Sequence, residues 1–207
     1  MLLSRRAIVA FGLAASWMLA GCVGVFHTQY ETPVSDKVSR GWHVVSVAVA
    51  VPQSLSVSEE KSWEPDADIV WREDSPSGDR HAQVATIMKT AATQAVKGLK
   101  GPRAVRLELT VSRFHALTIE AETQLANVGV HNINFAIRVV DARTGEVLAG
   151  PEPVDAAFPA LSGKEMAFAR ARGETQKSQI TAHVRSVIAG WLGIGPDPRM
   201  TFTRLGE

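Results

Sequence analysis

A single cysteine, Cys22, stands in the whole chain, so no disulfide can close within it and no second thiol is available for chemistry. Aromatic residues are scarce, at 6% with one tyrosine, and no basic stripe interleaves with them. Neither sign of charge is in excess: 22 Lys and Arg face 21 Asp and Glu. Setting aside Arg5 and Arg6 with the amino-terminal segment leaves 20 against 21, a balance that offers no field to a phosphate backbone. Nucleic acid is therefore excluded as an expected partner. No apolar run reaches the ~18 residues that a membrane-spanning helix needs. The six histidines are dispersed, without the H-x-H or H-x-x-x-H spacing of a metal site, and G-x-S-x-G is absent. No metal and no cofactor is implied.

What the chain does have is a distinctive beginning. Met1–Arg6 is short and basic, and Ala7–Leu19 is almost wholly apolar, the n-region and h-region of a signal peptide over residues 1–21. Leu19-Ala20-Gly21-Cys22 follows at once and resembles the lipobox of bacterial lipoproteins. That resemblance implies cleavage between Gly21 and Cys22 and a diacylglycerol on the Cys22 thiol. Each buried methylene contributes ~0.8 kcal/mol, so several acyl chains make a lasting anchor where one would be marginal. Among such lipoproteins an aspartate after the cysteine favours inner-membrane retention. Here the residue is Val23, which implies the outer membrane, with the chain facing the periplasm.

Beyond Cys22, residues 22–41 lack periodicity and include Gly24 and Pro33, the composition of a lipidated tether. Trp42–Val51 sets Val45, Val47, Val49 and Val51 on one face and Val44, Ser46, Ala48 and Ala50 on the other, which predicts a central strand. Ile69-Val70-Trp71 reads as a short strand or apolar clip. Ser75–Asp79 is cap chemistry ahead of a helix whose buried face is Val84, Ile87, Met88, Ala91, Ala95 and Leu99, stopped by Gly101-Pro102. Val105, Leu107, Leu109 and Val111 alternate with polar residues as a half-buried strand. Leu117–Leu125 is expected to continue as extended chain, with a turn at Asn127-Val128-Gly129. Ile133, Phe135, Ile137 and Val139 form another one-faced strand, closed by a hairpin loop at Asp141–Gly145. The return strand starts at Glu146–Leu148, and Pro151 and Pro153 predict that it becomes an edge. Ser162-Gly163-Lys164-Glu165 has capping-box spacing, Gly173 interrupts the helix it opens, and Ile180, Val184, Val187, Ile188, Trp191 and Leu192 make an apolar stripe ending at Gly193.

The expected architecture is α+β over residues 42–193. It comprises a single small mixed or antiparallel sheet with a strand–helix–strand opening, a β-hairpin and a C-terminal helix packed on the sheet. Residues 194–207 read as a tail. This order, with His115–Thr118 and Val139–Leu148, resembles an uncharacterised family of alphaproteobacterial lipoproteins, a domain of unknown function. It is more faintly similar in topology to auxiliary lipoproteins of envelope transporters. Neither likeness implies an activity.

The candidate site is a polar set: Trp71, Arg72, Glu73, Asp79, Arg80, His81, Arg113 and His115. A strand running up, a helix running down and a strand running up would bring these residues to one end of the sheet, where open α/β crevices bind ligands. The arginines could then take a carboxylate or phosphate. The same residues also suit a helix cap and ordinary ion pairs around a solvated rim. The expected function is a non-enzymatic binding or assembly module, anchored to the membrane through its N-terminal lipid and serving an envelope protein partner. Two alternatives stand beside it. One is a hydrolase-type enzyme using Asp79, His81 and His115; the other is a lipid or small-ligand carrier with an apolar cavity.

Overall fold

Alternation over Arg103–His115 gives the longest strand, and the rest of the chain is arranged on either side of it. The computed structural model describes residues 24–75, 77–126 and 129–204. In chain order the elements are β1 (Gly24–Gln29), α1 (Asp36–Ser39), β2 (Trp42–Ala50), β3 (Ile69–Val70), α2 (Arg80–Val96), β4 (Arg103–His115) and α3 (Ile119–Gln124). There follow β5 (Val130–Asp141), β6 (Val147–Ala156), β7 (Phe158–Pro159), α4 (Gly163–Ala171), α5 (Gln176–Trp191) and β8 (Met200–Arg204). The strands join in one mixed sheet of order β2-β4-β5-β6-β1-β8, with β3 beside the end of β4 and β7 beside the start of β5. β2 and β4 run parallel across α2, while β4-β5 and β5-β6 are antiparallel. The fold is α+β, as the patterning predicts.

Among the described residues the two long helices cover one face of the sheet. α2 and α5 lie side by side on it and supply Val84, Ile87, Met88, Val184, Ile188 and Trp191, all essentially inaccessible. From the sheet come Val105, Leu107, Leu109 and Val111 of β4 and Ile133, Phe135, Ile137 and Val139 of β5. Their alternates, such as Glu108, Thr110, Ala136 and Arg138, stay on the open face. Two glycines sit where side chains have no room. A Cβ on Gly101 would run into the Gly41 and Trp42 backbone at the start of β2, and Gly193 (φ 67°) turns the chain out of α5 against Val34 and Asp36.

The structure departs from the sequence reading at five places. β2 is an edge strand, and a bulge at Val45 moves Val44 onto the helix side with Val47, Val49 and Val51, leaving Val45 55% exposed. The segment read as a tether contains β1, which pairs with β6 and β8. Beyond it the Glu152 carboxylate accepts the Glu31 and Thr32 amides at 2.6 and 3.0 Å, and Trp191 Nε1 donates to Thr32 O at 3.1 Å. The segment read as a tail contains β8, five residues paired with β1. Both strands are short and take their order from distant partners, so their own patterns are weak. Leu117–Leu125 holds the helix α3, capped by the Thr118 hydroxyl, which accepts Ala121 N at 3.0 Å. Ser162 makes no capping bond, and the reciprocal box lies instead at Thr175 and Ser178 on α5. Pro151 and Pro153 do lie where β6 is paired with β5 alone, since β1 reaches only Asp155 and Ala156 of β6. Asn127 and Val128 of the expected turn, and the leader with Cys22, lie outside the described residues. Among the described residues no helix is long and apolar enough to cross a membrane.

Truncating a buried isoleucine to alanine costs about 2–5 kcal/mol, against a domain stability of roughly 5–15. Ile87→Ala and Ile188→Ala are therefore expected to lower the melting temperature by several degrees. Lys89→Ala, on the exposed side of α2, should leave it unchanged. Thermal melts followed by circular dichroism compare the three.

Candidate functional site

The polar residues singled out from the sequence separate into two groups on opposite sides of the sheet. Trp71 is fully buried, edge-on to Phe114 at 5.7 Å, and its indole N–H donates to Asp74 at 3.0 Å. Arg80, only 5% exposed, opens α2. Its Nε donates to Glu59 at 2.8 Å, and its Nη1 donates to Gln83 Oε1 at 2.8 Å and to Asp74 O at 3.2 Å. Arg72 pairs with the same Glu59 and also donates to Glu60 O at 2.6 Å. These bonds, that from Arg80 first, hold the Glu59 carboxyl below its ordinary pKa. Asp79 is the N-cap of α2, accepting His81 N at 2.9 Å, and His81 Nε2 meets Leu55 O at 3.2 Å. Trp71, Arg72, Asp79, Arg80 and His81 thus tie the long loop before α2 to the helix. Arg80 is taken up by Glu59, Gln83 and Asp74, and Arg72 is paired with Glu59, although its buried Nε has no acceptor among the described residues.

The network continues to α5 through Glu73. Its carboxylate accepts the Gln176 and Lys177 amides at 3.1 and 2.6 Å, placing negative charge at the helix N-terminus. Arg170 bridges Glu73, at 3.0 Å, to Glu122, which it grips through two bonds of 2.8 Å. Gln176 Nε2 donates to Glu122 at 2.5 Å, while its Oε1 accepts Leu117 N at 3.1 Å. Sequence reasoning missed Glu122, Arg170 and Gln176, because three separate helices bring them together.

Arg113 and His115 lie on the other side. A bulge at Ser112 keeps Phe114 in the core and turns Arg113 and His115 onto the open face. Arg113 Nη2 lies 3.1 Å from His115 Nδ1. A guanidinium only donates, so the imidazole accepts there and is neutral. Burial first, then the Arg113 charge, keeps His115 below the ordinary histidine pKa. Arg113 Nε is buried and makes no hydrogen bond among the described residues. Beside the pair is a cavity of about 510 Å³ at the sheet end where β4 and β8 finish and β1 and β5 begin. Phe26, Trp63, Leu117, Leu125 and Val130 give it apolar walls, and Glu64, Asn132 and Arg204 add polar ones. No pattern in the residues pointed to it, since Phe26 and Arg204 belong to stretches read as tether and tail.

Asp79 and His81 do not meet His115. Asp79 Oδ1 lies 3.4 Å from His81 Nδ1 on the loop side, while His115 faces Arg113 across the sheet, so the hydrolase arrangement is not assembled. Among the described residues no three His, Cys, Asp or Glu side chains gather closely enough to hold a metal ion. His131 and His183 flank Phe158, with ring centroids 4.9 and 4.2 Å from it. Thr28 gives its hydroxyl proton to Ala157 O at 2.7 Å, so His183 Nε2, 3.2 Å from Thr28 Oγ1, must be the donor to that hydroxyl. Burial lowers His131 to about 3 and His183 to about 4.

A comparison with family models matches residues 42–207 to a family of unknown function, DUF6778. Nothing among the curated proteins matches the chain. Among solved structures it is similar to a PelC dodecamer of Paraburkholderia phytofirmans, at 12% identity, 80% of this chain and 96% of that one, TM-score 0.36. A candidate lipoprotein of Caulobacter crescentus CB15 matches at 13% identity, 76% and 94% coverage, TM-score 0.35. A Xanthomonas campestris protein of the family DUF330 matches at 12%, with 79% and 94% coverage, TM-score 0.41.

Two outcomes follow from the geometry. Arg80→Ala removes charge-assisted bonds worth about 2–3 kcal/mol together. It is expected to lower the denaturant midpoint clearly, whereas Arg138→Ala, in a half-exposed pair with Glu108, should change stability by under ~1 kcal/mol. For the histidines, a folded-state pKa below the unfolded 6.5 means that protons bind only after unfolding. Their contribution is complete above pH 6.5 and is lost as the pH falls toward about 4. Each should contribute a slope of about 1.4 kcal/mol per pH unit in that window. His183→Gln is expected to flatten that slope in urea titrations between pH 7 and 4.5.

Proposed function

Starting from a chain that belongs to the DUF6778 family, we propose that it is a lipid-anchored envelope protein whose domain works by binding and not by catalysis. The observation that carries this reading is Leu19-Ala20-Gly21-Cys22, set directly after a basic n-region and an apolar h-region. Residues 1–21 are the signal peptide, cleavage falls between Gly21 and Cys22, and Val23 directs the product to the outer membrane with its domain in the periplasm. The position of β1 supports it. Gly24 starts that strand two residues after Cys22, so an acylated Cys22 would hold the domain within about 7 Å of the lipid surface. The binding role is supported by the separation of Asp79 and His81 from His115, so the three do not converge on one reaction centre. The partner that completes this role is an envelope protein.

The mature chain is expected to begin at an acylated Cys22. Intact-mass analysis of protein extracted from its native envelope should show the acyl mass and the loss of residues 1–21. Cys22→Ala should leave a larger, unlipidated precursor. An uncleaved and unmodified Cys22 in the wild type would overturn the reading.

A further inference from the structure

The cavity at the Gly24 end of the sheet combines two features. Its walls are largely apolar, from Phe26, Trp63, Leu117, Leu125 and Val130, and about 510 Å³ lies within the ~300–1,000 Å³ of small-molecule sites. Its polar side carries Arg113, a cation that forms no ion pair among the described residues and leaves its buried Nε without an acceptor. Nearby carboxylates act on that charge only at a distance. Asp68 is within electrostatic range of Arg113, yet its Oδ2 accepts both Ser56 N and Ser56 Oγ at 2.8 Å. Glu64 lines the cavity without bonding to the arginine. His115, held neutral, contributes an acceptor but no countercharge. An arginine left with open donors beside an apolar wall suits an anion that carries hydrocarbon.

The location narrows the source. Gly24 lines this cavity and lies two residues from Cys22, a reach of no more than about 7 Å along the chain. Trp63 stands at the same site, 54% exposed, its indole N–H donating to Gln124 Oε1 at 3.0 Å. A half-buried indole with one polar edge is the side chain that settles at a membrane interface. Resting on the anchored reading above, we infer that this cavity holds the phosphate headgroup of an anionic lipid from the membrane to which Cys22 is attached. Arg113 forks the phosphate, Asn132 lies alongside, and Phe26, Trp63 and Leu117 cover the first part of the acyl chains. The anchor tethers the domain, and the cavity orients it against the surface.

The test uses the full chain, expressed with its leader and extracted in detergent, with bound lipid counted by native mass spectrometry. Phosphatidylglycerol is expected to bind once per chain, at least tenfold more tightly than phosphatidylcholine with the same acyl chains. Inorganic phosphate at millimolar concentration should not displace it. Arg113→Gln should weaken phosphatidylglycerol binding tenfold or more. Trp63→Ala, at an exposed position that the fold does not need, should weaken it several-fold, and Arg138→Gln on the open face should not. Equal binding of the two lipids, or unchanged affinity in a folded Arg113→Gln and in Trp63→Ala, would overturn the site. Displacement by inorganic phosphate would overturn the lipid and leave a free-anion site. The intact mass of the same sample reports acylation separately. An unmodified Cys22 with lipid bound sinks the anchor alone, and an acylated Cys22 with lipid binding indifferent to Arg113 sinks the cavity alone.

Discussion

Burial on a single face of the sheet is the constraint that the other features obey. With α2 and α5 on one face, β4 and β5 must keep one row of apolar residues toward the helices and leave the alternate row on the open face. A slip of one residue in β4 would carry Leu107, Leu109 and Val111 into solvent and drive Arg106, Glu108 and Thr110 into the core. Burying two such charges would cost several kcal/mol each, which fixes the register firmly. Bulges at Val45 and Ser112 are the points where the chain passes one residue without breaking that rule. The second bulge has a further effect: it keeps Phe114 inside and turns Arg113 and His115 together onto the outer face.

Mutual satisfaction of charges governs the polar end on the helix side. Glu122 is nearly inaccessible and would be destabilising if left alone, but two bonds from Arg170 and one from Gln176 satisfy its oxygens. Glu73 sits against the first amides of α5, where the helix field favours an anion, and shares the same Arg170. Arg80 gathers Glu59, Gln83 and the Asp74 carbonyl. Each cation there is engaged in holding a loop to a helix. Arg113 is the same kind of residue in another environment: the one hydrogen-bond partner of its guanidinium among the described residues is a neutral imidazole, and Asp68 acts on it only at a distance.

Patterns that repeat within one element were legible from the residues alone. The alternation of β4 and β5, the stripes of α2 and α5 and the Asp141 hairpin all appear where the periodicity puts them. In that hairpin Asp141 Oδ1 accepts Arg143 N and Thr144 N at 2.9 and 2.8 Å, a local arrangement that a sequence can encode by itself. Elements that exist only through remote partners were not legible. β1 needs Ala156 and Thr203 opposite it, and β8 needs β1, so neither has a pattern of its own to display. The candidate site failed for a related reason. The topological argument is blind to which face a bulged strand presents. It therefore merged the loop network of Arg72 and Arg80 with Arg113, which lies on the other face.

The direction of the strands then relates the cavity to the anchor. β1 and β5 run the same way, because each is antiparallel to β6, and both begin at the cavity end. β5 has twelve residues, so its far end, with the Asp141–Gly145 hairpin, lies roughly 40 Å from its start. With Cys22 lipidated as proposed, Gly24, Trp63 and Arg113 would face the bilayer, and the hairpin would point away from it. The two ends differ accordingly. At the far end Asp141 is already held by Arg103 at 2.9 Å and by two backbone amides, which keep its carboxyl far below the usual range. The near end carries Arg113, which forms no ion pair among the described residues. An envelope protein approaching from the periplasm would meet the hairpin and the open face of the sheet, where Glu108 is shared between Arg106 and Arg138. Lipid recognition and protein recognition would thus fall on surfaces separated by the length of the central strands, so that one need not displace the other.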